Sequence, residues 1–229
     1  MSWALDNLDL VWELTLDHVR LSVLPIVLSF VLAIPLGFWA NRNRTARAII
    51  VGAGSLLYTI PSLPLFVILP LIIGTRVLDE TNLVVALIIY GLALMMRSAT
   101  DAFASVDPLT LQAADAMGFS GFARFWRVDL PLAGPVLLAG IRVVSVSTIA
   151  LVSVGVLIGS RNLGYLFQDG KQRGILAEVG TGIVASLLIA LVFDIIIVLI
   201  GRLTLPWNRS DDDRPREDPI VAPAGEVAR

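Results

Sequence analysis

A chain of 229 residues that is 56% hydrophobic and only 16% charged, with a mean hydropathy of +0.83, is too apolar for a soluble domain of its size and reads as an all-α integral membrane protein. The formal net charge of −2 leaves no basic surface for nucleic acid. A single histidine and no cysteine exclude a histidine metal cluster, a thiolate site and a disulfide framework.

Residues 1–18 combine Trp3 and Trp12 with Asp6, Asp9, Glu13 and Asp17 and hold no Lys or Arg. That pattern argues against a signal peptide and for an outer N-terminal segment with its tryptophans at headgroup level. His18 reads as one more interfacial residue. The transmembrane domain is assigned to 19–205. Its first span is expected over 21–40, long enough to cross a core of about 30 Å, and ends at Arg42, Arg44 and Arg47. Arginines directly after the first span place that loop on the inner side and the N-terminus outside.

The second apolar stretch, 48–74, carries Tyr58-Thr59-Ile60-Pro61-Ser62-Leu63-Pro64 near its middle. Two prolines remove helix donors and clash with the preceding turn, so the helix must kink or break there. Backbone carbonyls freed at membrane depth must face protein or a watery path. The break is therefore either a kink between packed helices or a lining of the permeation route, with Tyr58, Pro61 and Ser62 as the candidate residues. Counted as one kinked span the stretch gives five crossings in total; split in two it gives six. Tyr58 and Tyr90 read as packing residues. The third span starts at Asn82 and continues to about Ala104, with Arg97 reaching the inner headgroups and pairing with Asp101 four residues on.

The next stretch is polar. Asp107 is a helix cap and Pro108 fits the first helical position; helix formers follow to Met117, and Gly118 is the expected stop. Ser120 can cap a second short helix reaching Arg127. Residues 132–158 form the fourth span, rich in small residues that allow close helix approach. A loop over 159–178 follows on the outer side, with Arg161, Lys171 and Arg173 running against the positive-inside rule. The last span is 179–201. The tail over 206–229, with Asp211, Asp212 and Asp213, is too polar to bury a core and is expected to be disordered. Eleven cations fall on the inner side against four outside, which orients the C-terminus inward. Two charges lie within spans. Arg142 sits about 12 Å into the fourth and Asp194 about 10 Å into the fifth, both counted from the inner side at 1.5 Å per residue. Matched depth suggests that they pair, facing the bundle interior.

The spacing of Gln112-Ala113-Ala114, Gly118, Val128 and Leu130-Pro131 resembles the EAA loop of ABC importer permeases: Glu-Ala-Ala, three residues, Gly, nine residues, Ile, one residue, Leu-Pro. Gln112 stands where that pattern has glutamate, and Val128 where it has isoleucine. The resemblance implies a type I permease fold in which residues 108–127 are cytoplasmic coupling helices that dock on an ATPase subunit. More widely, Tyr58 to Leu63, Asp107-Pro108, Leu130-Pro131-Leu132, Gly140-Ile141-Arg142, Ile158-Gly159 and Asn162-Leu163-Gly164 are similar to permeases for glycine betaine, choline, carnitine or proline; Ser160 and Arg161 depart from that pattern. The resemblance further implies a bacterial inner-membrane subunit acting with a second permease, two ATPase subunits and an extracytoplasmic binding protein. No phosphate-binding loop of the Gly-x-x-x-x-Gly-Lys-Ser/Thr type is present, so this chain is expected to be no enzyme and to bind no cofactor, with ATP and Mg on the partner ATPase. A methionine permease is the nearest alternative cargo class. A membrane scaffold or receptor without transport, or a channel that needs no ATPase, is the alternative of another kind.

Overall fold

The computed structural model describes residues 2–207; of the polar tail assigned to 206–229, all but Pro206 and Trp207 lies outside the described residues. Helices α1 (Ser2–Asp6), α2 (Leu8–Arg42), α3 (Arg44–Thr59), α4 (Ser62–Ile73), α5 (Glu80–Ala104), α6 (Pro108–Ala116), α7 (Gly121–Arg124), α8 (Leu130–Val154), α9 (Gly164–Arg173) and α10 (Leu176–Thr204) succeed one another without a strand among the described residues. Among the described residues, four helical stretches are long and apolar enough to cross a membrane: α2, α5, the continuous run Gly121–Ile158 that contains α8, and α10. The pair α3 and α4 makes a fifth if it counts as one span bent by 104°.

The core is built on α2, α5 and α8. Close crossing depends on small residues, because lipid offers no hydrophobic drive between helices. A Cβ at Gly37 would come within 2.6 Å of the Ala99 backbone on α5, and one at Gly140 within 2.6 Å of Ser98 Cβ. Ala33, Met95, Ala99, Phe103 and Leu137 fill the resulting interior.

Several expectations change. The first span is part of a helix that begins at Leu8, about 52 Å long at 1.5 Å per residue, so the N-terminal segment from Leu8 onward is helical and continuous with the span. His18 is fully buried, with Nε2 3.0 Å from the Ile149 carbonyl of α8; α2 and α8 cover it at the point where an interfacial side chain would need water. Asp101 meets Arg47 of α3 at 3.3 Å, where a pair with Arg97 was expected, because the approach of α3 to α5 brings a second guanidinium to that carboxylate. The expected loop over 159–178 contains α9. Asn162 Oδ1 accepts from the Gly164 amide at 2.7 Å, and Gly174 ends the helix in the left-handed region at φ 71°. Two of the three cations there are ion-paired: Arg161 pairs with Glu13, and Arg173 with Asp169 at 3.0 Å.

Candidate functional site

At one end of the bundle, where α2 and α5 finish, the chain leaves the core as a handle. Asp107 Oδ1 accepts from the Leu109 amide at 3.0 Å and Pro108 opens α6, a cap worth about 1 kcal/mol. The helix stops at Gly118, with φ at 82°. The Gly118 amide donates to Asp115 O at 3.0 Å and the Phe119 amide to Ala114 O at 3.2 Å, a paired closure that satisfies the last carbonyls of the helix. Ser120 Oγ then accepts from the Ala123 amide at 3.3 Å.

Beyond Ser120 there is no second separate helix ending at Arg127. α7 passes through a π-helical turn at Phe125–Asp129 straight into α8, so the far half of the handle is the extended root of a span. The π turn gives Arg124 a double role. Its Nη1 lies 2.6 Å from Asp115 Oδ2 on α6, and its Nε 3.2 Å from Asp129 Oδ2 at the root of α8. One guanidinium thereby ties both halves of the handle across Gly118. Asp129 is 5% exposed. Beneath it, Phe125 stacks edge-on against Phe38 of α2 at 4.6 Å and lies 6.1 Å from Phe103 of α5, so the handle is seated on the ends of both core helices. Arg124, Asp115 and Asp129 were not singled out from sequence.

Of the residues that were, Ala114 is the inward anchor of α6 at 1% exposure, whereas Gln112 and Ala113 face outward. Leu130 and Pro131 begin α8 and border a groove between α2, α8 and α10. Leu109, Met117, Phe122 and Trp126 are all large, apolar and exposed by more than half. All four project from a polar handle, and the Phe122 and Trp126 rings lie 6.3 Å apart; clustered exposed apolar groups are what a docking site presents.

The break between α3 and α4 is the second feature. Pro61 cannot donate, and Ile60 is extended at ψ 124°, so its carbonyl leaves the helical ladder. The Tyr90 hydroxyl of α5 donates to that carbonyl. This gives Tyr90, read from sequence as packing, a second task. Tyr58 stands edge-on to Tyr90 at 6.3 Å, half exposed, beside exposed Pro61 and partly covered Ser62.

Third, Arg142 and Asp194 form a bidentate pair, Nε to Oδ1 at 2.6 Å and Nη2 to Oδ2 at 2.9 Å. They join α8 to α10. The pair does not point into the interior of the described bundle: the two side chains are 46% and 28% exposed among the described residues. The structure does not bring these residues to the handle or to the break. Among the described residues no group of His, Asp and Glu is arranged to hold a metal ion.

A family described as the binding-protein-dependent transport system inner membrane component matches residues 26–209. The chain is 30% identical over 195 residues to the osmoprotectant import permease protein OsmW of Salmonella typhimurium, covering 84% of this chain and 90% of that one. It is 27% identical over 197 residues to the glycine betaine/carnitine/choline transport system permease protein OpuCD of Bacillus subtilis, covering 84% and 83%. Among solved structures, a chain of the inward-facing MetNI methionine ABC transporter superposes with a TM-score of 0.72 over 87% of this chain and 98% of that one; at 19% identity the likeness is one of fold alone.

Proposed function

Because this chain belongs to the family of binding-protein-dependent transport system inner membrane components, we propose that it is the membrane-spanning permease of an ATP-driven importer for an osmoprotectant of the glycine betaine, choline, carnitine or proline class. The cargo class follows the relatives that share most of its length. The observation that carries the mechanism is the handle: an apolar docking surface of Leu109, Met117, Phe122 and Trp126, held by Arg124 to the root of α8.

In this reading the handle lies on the cytoplasmic side and α6 is the coupling helix. Two ATPase subunits supply the ATP and Mg chemistry, a second permease completes the pore, and an extracytoplasmic binding protein delivers the cargo to the opposite end. The N-terminus is outside and the C-terminus inside a bacterial inner membrane. Residues 19–205 form the transmembrane domain, and the polar residues after it a cytoplasmic tail. Closure of the ATPase pair displaces α6. Through Arg124 and the stacked Phe125 that displacement is passed to α8 and to the ends of α2 and α5, and the two permease halves rock between inward and outward access. The break at Ile60-Pro61, with Tyr58, Pro61 and Ser62 on its open side, lines the path.

The test is uptake of radiolabelled glycine betaine by vesicles containing this chain, its cognate subunits and ATP, with choline, carnitine, proline and methionine as competitors. ATP-dependent accumulation blocked by choline or carnitine supports the proposal. Blocking by methionine alone keeps the machine and replaces its cargo; accumulation indifferent to ATP overturns the coupling role.

A further inference from the structure

Glu178 is the most deeply buried acidic side chain among the described residues, at 1% exposure. It stands in the first turn of α10, and neither of its carboxyl oxygens meets a donor. An ionised carboxylate held in that way is costly. The surrounding joint is close. α9 turns at Gly174 and lies back across the start of α10, with the Ile175 amide donating to Gly170 O at 2.8 Å. A Cβ at Gly170 would come within 3.1 Å of Glu178 Cβ, and one at Gly182 within 2.9 Å of the Phe167 ring. The packing that leaves no space for a side chain at 170 or 182 also shuts bulk water away from the carboxyl.

The charged groups that face Glu178 come from α9. Asp169 presents its carboxyl to that of Glu178, and Arg173 acts on it as well; Tyr165, the next titratable group, reaches Arg173. α1, α2 and α8 also touch α10 and bring no charge to Glu178 among the described residues. Asp169 has a cation, Arg173 at 3.0 Å, and keeps 22% of its side chain accessible. Glu178 has no cation of its own. Two carboxylates side by side repel and share no hydrogen bond. With one proton between them they attract, because the O–H of the acid donates to the neighbouring carboxylate. The more buried partner, without a cation, is the one that keeps the proton.

We propose that Glu178 is a proton-binding site at the α9–α10 joint: its O–H donates to the Asp169 carboxylate, which also accepts from Arg173, and this chain of three holds α9 on α10. Loss of the proton sets a second negative charge beside Asp169 and loosens the joint. The contribution is present in acid and is lost as pH rises through the titration of the pair. In the proposed orientation the joint lies on the outer side, where the external medium sets its state. The test is amide hydrogen exchange of the purified transporter from about pH 5 to about pH 9, a range above the ordinary carboxylate pKa of about 4.3, corrected for the intrinsic rise of exchange with pH. Protection over 164–173 should fall several-fold across that range relative to α6. Glu178→Gln keeps a donor and should hold α9 protected throughout. Asp169→Asn gives an ionised Glu178 an amide donor and should flatten the profile too; it decides the matter if Glu178→Gln does not fold. Infrared pH-difference spectra should show a protonated carboxylic acid that vanishes as pH is raised and is missing from Glu178→Gln. The absence of that band, or a wild-type exchange profile matching that of Glu178→Gln, overturns the proposal. So does protection over 164–173 that follows sodium or calcium concentration at fixed pH, which would put a cation between the carboxyls. None of these readouts needs transport, so their failure leaves the permease reading intact, and a preparation without an ATPase would count against that reading alone.

Discussion

Replacing Arg124 with glutamine keeps a polar stem and removes the charge that joins the two halves of the handle. Asp115 is well exposed, with 56% of its side chain accessible, and can turn to water, so the loss on that side is that of a surface pair, about 0–1 kcal/mol. Asp129 cannot. At 5% exposure it becomes a buried carboxylate without a cation, and removing one partner of a buried pair costs about 3–5 kcal/mol. The lower end applies, because Arg124 itself keeps 16% of its side chain accessible. A loss of about 3 kcal/mol corresponds to a fall in melting temperature of about 6–12 °C for a chain of this length. Neutralising both partners, Arg124→Gln with Asp129→Asn, removes the orphaned charge and should recover more than half of the loss. The assay is thermal melting of the purified transporter for the two single variants and the double, with ATP-driven uptake on the same preparations. A change of less than about 2 °C for Arg124→Gln, or a double variant no better than the sum of the singles, would refute the clamp.

Gly118→Val should leave the spans inserted yet abolish uptake, since a β-branched residue at φ 82° is a steric outlier; normal uptake would count against the handle. Tyr90→Phe keeps the ring and strands the Ile60 carbonyl, costing about 1–3 kcal/mol, and should speed hydrogen exchange on both sides of the break while distant helices are unchanged. Phe122→Ala and Trp126→Ala should weaken retention of the ATPase in pull-downs without lowering the melting temperature of the permease, because both rings are exposed by more than half. Asp79 caps α5 through the Thr81 amide at 2.9 Å, and its hydrogen bonds with Thr81 hold its carboxyl below the usual range. Its contribution is complete above the ordinary carboxylate pKa of about 3.9 and is lost as pH falls through the lower folded value. Amide exchange at Thr81 should therefore show added opening only below about pH 4.

Much was legible in the chain itself because it is local or one-dimensional. Hydropathy and length fix the spans, since each must cover about 30 Å of hydrocarbon; Asp107-Pro108 and Gly118 fix the ends of α6, because capping depends on neighbouring residues alone. Counting residues from the ends of their spans set Arg142 and Asp194 at one depth, and two like depths in adjacent helices leave few places for a partner. The break at Pro61 is written in the proline. The contacts that hold these parts together were not legible. Arg124 and Asp129 are five apart, a spacing that an α-helix turns away from one another and only the π turn closes. His18 became a core residue because α8 crosses α2 there, and Tyr90 became the partner of Ile60 because α5 passes the break. Which way the Arg142–Asp194 pair faces was decided by how α10 is set against α8. Sequence sets each helix's length, ends and depth; rotation and contact depend on packing against residues far along the chain, which only the tertiary structure supplies.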